Sequence, residues 1–315
     1  MTPARLTFFC ELEAEPLREL FADPAVVEHL VELKASVSLG LLDLSAERAD
    51  VVRRLHAAGI PVIAWLLLPA EQGYWFNLDN APQAAARYEA FREWTSAHGL
   101  RWDGVGLDIE PDLHELRRLL AGRWRQLLAL LRRLRQRERL RRAREAYEVL
   151  IARIRADGYR VDTYQLPLIV DERQAGSSLL QRLLGVVDLP AEREVLMLYS
   201  SFVRPHGAGL LESYGPQAGS IGVGSTGGGV ELPGAGAAPP LSWDELSGDL
   251  RHARRLCADL HVFSLEGCVR QGFLPRLRGF DWSGPRQAPK TTARRMKLMR
   301  RAGGTVLRAL SLLLH

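Results

Sequence analysis

The chain has 315 residues, 47% of them apolar and 25% charged, with a formal net charge of +5. That is enough chain to bury the core of one large α/β domain, and the composition excludes wholesale disorder. Cys10, Cys257 and Cys268 cannot build a disulfide framework, no Cys/His spacing fits structural zinc, and no apolar run reaches a membrane span of roughly 18 residues.

In chain order, Arg5–Leu12 is the first apolar, β-branched or aromatic run with strand character. Pro16–Leu33 carries apolar residues at helical spacing and predicts a helix. Ala35–Leu42 is the second strand, and Ser45 is a good N-cap for a helix over Ala46–Ala58. Ile60–Leu68, entered through Gly59-Ile60-Pro61, is the third strand. Ala81–His98 is an amphipathic helix closed by Gly99. Gly104–Glu110 is the fourth strand, and Leu113–Ala156 predicts one Arg-rich helix projecting past its neighbours. Tyr159–Val170 contains the fifth strand, Ser177–Leu184 is a short helix, and Glu194–Phe202 is the sixth strand. Val203–Pro240, rich in Gly, Pro and Ala, reads as long mobile loops around a weak seventh strand, Ser220–Ser225. Ser242-Trp243-Asp244-Glu245 fits a capping box and opens a helix to Ala258, and Leu260–Leu265 is the eighth strand. Thr291–His315 reads as a basic amphipathic helix.

Eight strands alternating with helices predict an α/β fold, a (β/α)8 TIM barrel. The barrel is expected over residues 1–285, with a basic amphipathic extension over 286–315. The rival, a doubly wound open sheet, lacks the early Gly-rich turn of a dinucleotide site. The N-terminus has none of the regions of a secretion signal, so a cytoplasmic protein is expected.

All but three of the 42 basic residues are Arg, gathered between Arg117 and Arg155 and between Arg286 and Arg308. A GC-rich genome explains much of this, and a solvated helix face explains the first cluster; no nucleic-acid partner is predicted. For the tail, packing on the barrel wall is the plain account and peripheral membrane contact the sharper one.

The chemistry concentrates in Asp103-Gly104-Val105-Gly106-Leu107-Asp108-Ile109-Glu110-Pro111. On a strand Gly106, Asp108 and Glu110 share one face, and Val105, Leu107 and Ile109 the other. Inward carboxyls in a barrel are costly unless they serve a site, and two at i and i+2 raise each other's proton affinity. A carboxylic acid still protonated near neutral pH is what a general acid requires, and Glu110 ends its strand where barrel enzymes place catalysis.

This run resembles the Asp-Gly-x-Asp-x-Asp-x-Glu signature of the family 18 glycoside hydrolases, the chitinases and endo-β-N-acetylglucosaminidases. Met197-Leu198-Tyr199-Ser200 is similar to that family's Met-x-Tyr-Asp on strand six. The resemblance implies that Glu110 is the general acid/base, that Asp108 orients the substrate acetamido group, and that Tyr199 hydrogen-bonds its carbonyl. Asp103 takes the place of the first Asp. Gly106 and Ser200 stand where the family has Asp, and neither the strand-three motif nor the strand-eight Trp is present.

Glu13, ending the first strand, and Glu266, ending the eighth, are candidate partners for Glu110, in an acid and nucleophile or base arrangement. The plainer role for them is a structural pair with Arg204 or Arg270. Trp65, Tyr74, Trp75, Tyr164 and Gln165 are expected to form a sugar-binding wall, although Trp65 reads equally well as core. The predicted function is cleavage of a glycosidic bond in a carbohydrate or glycoconjugate, with an N-acetylhexosamine the implied unit, and no cofactor or metal. Two alternatives remain: a non-catalytic carbohydrate- or lipid-binding barrel, and a metal-dependent phosphodiesterase using Glu13, Asp43 and Glu110.

Overall fold

A computed structural model of the chain describes residues 4–120, 132–229, 239–284 and 290–313. Eight parallel strands close into one barrel in sequence order. They are β1 (Arg5–Cys10), β2 (Ser36–Leu41), β3 (Val62–Leu66), β4 (Gly104–Ile109), β5 (Val161–Gln165), β6 (Arg193–Met197), β7 (Ser220–Gly224) and β8 (Asp259–Phe263). The register of β1 on β8, with Phe9 opposite Phe263, completes the ring.

Alternation along each strand divides the side chains into two layers. Phe8, Val37, Leu39, Ala64, Val105, Leu107, Leu196, Val223 and Val262 face outward, into one continuous core under the helices. The inward set holds far fewer aliphatics. Phe9, Trp65 and Tyr164 meet edge to face at centroid separations of 4.7 to 6.0 Å. These rings come from odd-numbered strands, and glycines on even-numbered ones make room, Gly40 against Trp65 and Gly106 against Tyr164. Filling a barrel by layers from alternate strands is the usual solution, here with aromatic rings in place of branched aliphatics.

The helices differ from expectation in four places. Pro16–Leu33 is two helices, Ala14–Ala22 and Pro24–Glu32, because Asp23 caps the Ala25 N–H at 2.9 Å and Pro24 starts a new helix. The Arg-rich stretch is not one helix. A first helix covers Leu113–Leu120, the chain turns at Leu134–Arg135, and another helix runs over Arg137–Ala156; residues 121–131 lie outside the described set. Leu168–Ala175 is helical where only strand and loop were expected. Val203–Pro240 is not all loop, since Gly207–Tyr214 is a helix; residues 230–238 of it lie outside the described set.

Several of the arginines in the 117–155 cluster are neutralised locally. Arg139 pairs with Asp79, Arg141 and Arg142 with Glu138, and Arg155 with Glu192. Lys290–Leu313 is a helix laid against Leu168–Ala175 and Gly207–Tyr214. Among the described residues no helix is long and apolar enough to cross a membrane.

Candidate active site

The C-terminal ends of β1, β4 and β8 bring Glu11, Asp108, Glu110 and Glu266 into one electrostatic cluster. β4 carries Asp108 inward, where it is 2% exposed. The Trp65 indole N–H donates to its Oδ2 at 3.1 Å, and Oδ1 has no partner. Burial, reinforced by Glu110 and Glu11, pushes this carboxyl well above the usual range.

Glu110 follows β4 directly. A segment of the β3 loop lies beside it: the Phe76 N–H donates to Asp108 O at 2.9 Å, and the Glu110 N–H to Phe76 O at 3.2 Å. The Glu110 side chain is half-buried and makes no hydrogen bond among the described residues. Burial lifts it to about 7. A general acid operating at neutral pH needs a proton affinity of that order.

Glu11 rather than Glu13 is the β1 member of the cluster. It continues the inward register of Thr7 and Phe9, is 9% exposed, and accepts a hydrogen bond from the Tyr74 hydroxyl. Burial raises it to about 8, against the opposing effect of that bond. Glu13 is exposed at the start of the next helix and contributes only its charge.

Glu266 lies in the first turn of Leu265–Arg270, whose Ser264 N-cap accepts from the Gly267 N–H at 3.1 Å. It is 4% exposed, and neither carboxyl oxygen has a partner in good hydrogen-bond geometry. Burial lifts it to about 7, and the neighbouring Ser264 hydroxyl and Glu11 amide offset only part of that. Gly228, at φ +95°, lies over it so closely that a Cβ would sit 2.3 Å from Oε1. Arg204, one expected partner, is bound instead to Glu245 at 2.8 Å.

The aromatic residues separate into a plug and a rim. Tyr164 is fully buried, its hydroxyl 2.6 Å from Ser38 Oγ, and belongs to the plug with Trp65. Tyr74 and Trp75 meet edge to face at 5.3 Å on the β3 loop. Tyr199 follows β6, stacks on Phe263 at 5.6 Å, and keeps its hydroxyl free of hydrogen bonds among the described residues. Gln165 points the other way: its amide donates to Val187 O at 3.4 Å in the outer layer. The structure thus gathers Glu110, Asp108, Tyr199, Trp65, Tyr74 and Glu266 at one end, with Trp75 against Tyr74, and leaves Gln165 and Glu13 outside.

The two departures from the resembling motifs have local causes. A Cβ on Gly106 would lie 2.3 Å from the Tyr164 hydroxyl oxygen, so the place of the missing carboxylate is occupied. Ser200 turns away from the cluster and donates to Asp249 on Trp243–Leu256; burial lifts that carboxyl to about 7. Asp43 is held by Arg48 at 2.7 Å and pulled down to about 2, so it is tied into an ion pair away from the cluster. Among the described residues no three His, Cys, Asp or Glu side chains converge as a metal-binding set. His261 is a buried barrel histidine, lowered to about 3 by burial.

Comparison with known proteins places the architecture but not the reaction. No family model and no curated protein sequence matches the chain. Among solved structures it is similar to a GH18 chitinase from Pseudoalteromonas aurantia, at 10% identity and TM-score 0.51, over 88% of this chain and 100% of that one. It is also similar to the PgaB (BpsB) glycoside hydrolase domain from Bordetella bronchiseptica, at 11% identity and TM-score 0.50, over 88% and 98%. A mutant tryptophan synthase α-subunit from Pyrococcus furiosus matches at 13% identity and TM-score 0.44, over 88% and 96%. The likeness is one of fold, a TIM barrel.

Proposed function

We propose that this barrel is a glycoside hydrolase acting on an N-acetylhexosamine-containing glycan or glycoconjugate, with Glu110 as general acid/base. The observation that carries the reading is Glu110 itself, a half-buried carboxyl with no hydrogen-bond partner among the described residues, at a strand end, lifted to about 7. In its protonated form it gives a proton to the glycosidic oxygen as the C–O bond breaks. As carboxylate it then takes one from the attacking water. Asp108, fixed through Oδ2 by Trp65, turns its unpartnered Oδ1 toward the reacting sugar. The free Tyr199 hydroxyl is a donor for an acetamido carbonyl, and the Tyr74–Trp75 pair, both rings largely buried, backs the wall of the site.

The filled space at Gly106 favours a second reading, a barrel that binds the sugar without cleaving it. Calorimetric titration with an N-acetylglucosamine oligomer, beside an assay for new reducing ends, separates the two. The hydrolase reading expects both binding and cleavage. Binding without cleavage assigns the second reading, and absence of both overturns the carbohydrate assignment.

A further inference from the structure

The two Arg-rich helices of this chain are built on different rules. Arg137–Ala156 interleaves Glu138, Glu145 and Glu148 with its arginines, and ion pairs consume much of its charge. Lys290–Leu313 contains no acidic residue at all over its 24 positions.

One side of Lys290–Leu313 is fixed to the barrel. Arg300 donates to Asp171 Oδ1 at 2.7 Å and to Gln217 Oε1 at 2.8 Å, and lies 3.6 Å from the centre of the Tyr214 ring. Gly209 lets the helix come close, since a Cβ there would lie 2.8 Å from Thr292 O. The shielded positions, 293, 296, 300, 304, 307 and 311, recur at helical spacing and define this docked side.

The opposite side is largely apolar, with the exposed Arg295 as the charged exception on the same arc. Leu298, Met299, Val306, Leu310 and Leu313 fall within one third of the helix circumference at 100° per residue, and they are 41 to 80% exposed. Arg294, Arg301 and Arg308 lie along its margin, all exposed. An apolar stripe bordered by uncompensated positive charge is the pattern of a helix that lies in the plane of a bilayer surface.

We infer that the outward face of Lys290–Leu313 docks the protein on an anionic lipid surface. Charge selects this occupant over a second copy of the chain. Two such stripes placed face to face would bring their basic margins together with no acidic residue on either helix. Because Arg300 and Gly209 hold the inner side, the stripe is presented as part of a rigid wall. Docking needs no release of the helix. It is independent of whether the barrel cleaves sugars.

The test is co-sedimentation of the full chain with vesicles of phosphatidylcholine, alone or with about one third phosphatidylglycerol. Binding is expected to the anionic vesicles only, and it should be lost at about 0.5 M NaCl. Leu298→Ser/Val306→Ser/Leu310→Ser should weaken it at least about tenfold with the thermal midpoint unchanged. Arg294→Glu/Arg301→Glu should do the same and leaves the stripe intact, so the test survives poor folding of the first variant. Equal binding to neutral vesicles, or no binding to either, overturns the inference. So does a dimer in analytical ultracentrifugation that the serine variant turns into a monomer.

Discussion

At the N-terminal end of the barrel, Asp162 is completely buried yet accepts hydrogen bonds from Arg160 at 2.8 and 3.3 Å, and Arg193 lies 3.7 Å away. Arg5 and Asp259 pair nearby. At the C-terminal end, Glu11, Asp108, Glu110 and Glu266 are gathered with a tyrosine hydroxyl and an indole N–H as their main partners. Both ends bury carboxyls, but among the described residues only the first ties them into ion pairs, while Arg270 reaches Glu266 through its charge alone. A paired buried charge serves structure; an unpaired one is tolerated because protonation removes it, at a cost in stability that only a site would justify. The lower end therefore reads as scaffold and the upper end as chemistry.

The largest expected effect separates the two ends by activity. Glu110→Gln should lower turnover of an N-acetylhexosamine oligomer by about 100-fold or more, with the thermal midpoint unchanged or raised. Near-normal turnover in that variant removes Glu110 from the reaction. Arg160→Met makes the converse change. It strips Asp162 of both hydrogen bonds and should cost about 2 kcal/mol in urea unfolding, while activity per folded molecule stays the same. An unaltered unfolding midpoint would mean that Arg193 alone suffices.

The pH dependence is smaller and has a definite sign. Glu11 near 8 and Glu110 and Glu266 near 7 hold protons in the folded state that the unfolded chain releases near its ordinary carboxylate range. Their contribution to stability is complete below about pH 4.5 and is lost as the pH rises through 7 to 8. The thermal midpoint should fall by about 5 °C between pH 5.5 and 8.5, and Glu11→Gln/Glu266→Gln should flatten that fall. A midpoint that rises over this range contradicts the assignment of unpaired acids. The smallest effect belongs to Tyr74→Phe. Loss of the donor to Glu11 should cost about 1 kcal/mol or less and raise the pH at which the Glu11 carboxyl titrates, read by carboxyl NMR; an unmoved titration would mean that the Tyr74 hydroxyl does not hold Glu11 in solution.

The barrel itself was legible because eight apolar runs with turn signals survive in the chain, and Glu110 and Asp108 because strand alternation forces them inward together. Alternation also contained a warning about Gln165. It is consecutive with Tyr164, so only one of them can face the interior, and Tyr164 does. Glu11 was legible from Phe9 by the same count, whereas Glu13 lies past the strand, where the period no longer holds. The break at Asp23-Pro24 carried a sequence signal. The turn at Leu134–Arg135 carried none, having neither Gly nor Pro. Nothing local explains Gly106, because its cause is a ring on the neighbouring strand, a relation that exists only after closure.

That ring also constrains how position 106 can change. Restoring an acid at position 106 while Tyr164 remains would force the new side chain into the phenol. Shrinking Tyr164 first opens the space but deprives Ser38 of its partner. The two positions are sterically coupled: one order of substitution meets overlap and the other passes through a hollowed intermediate. A barrel with three inward acids on β4 is therefore reached from the present one only by changing both positions together.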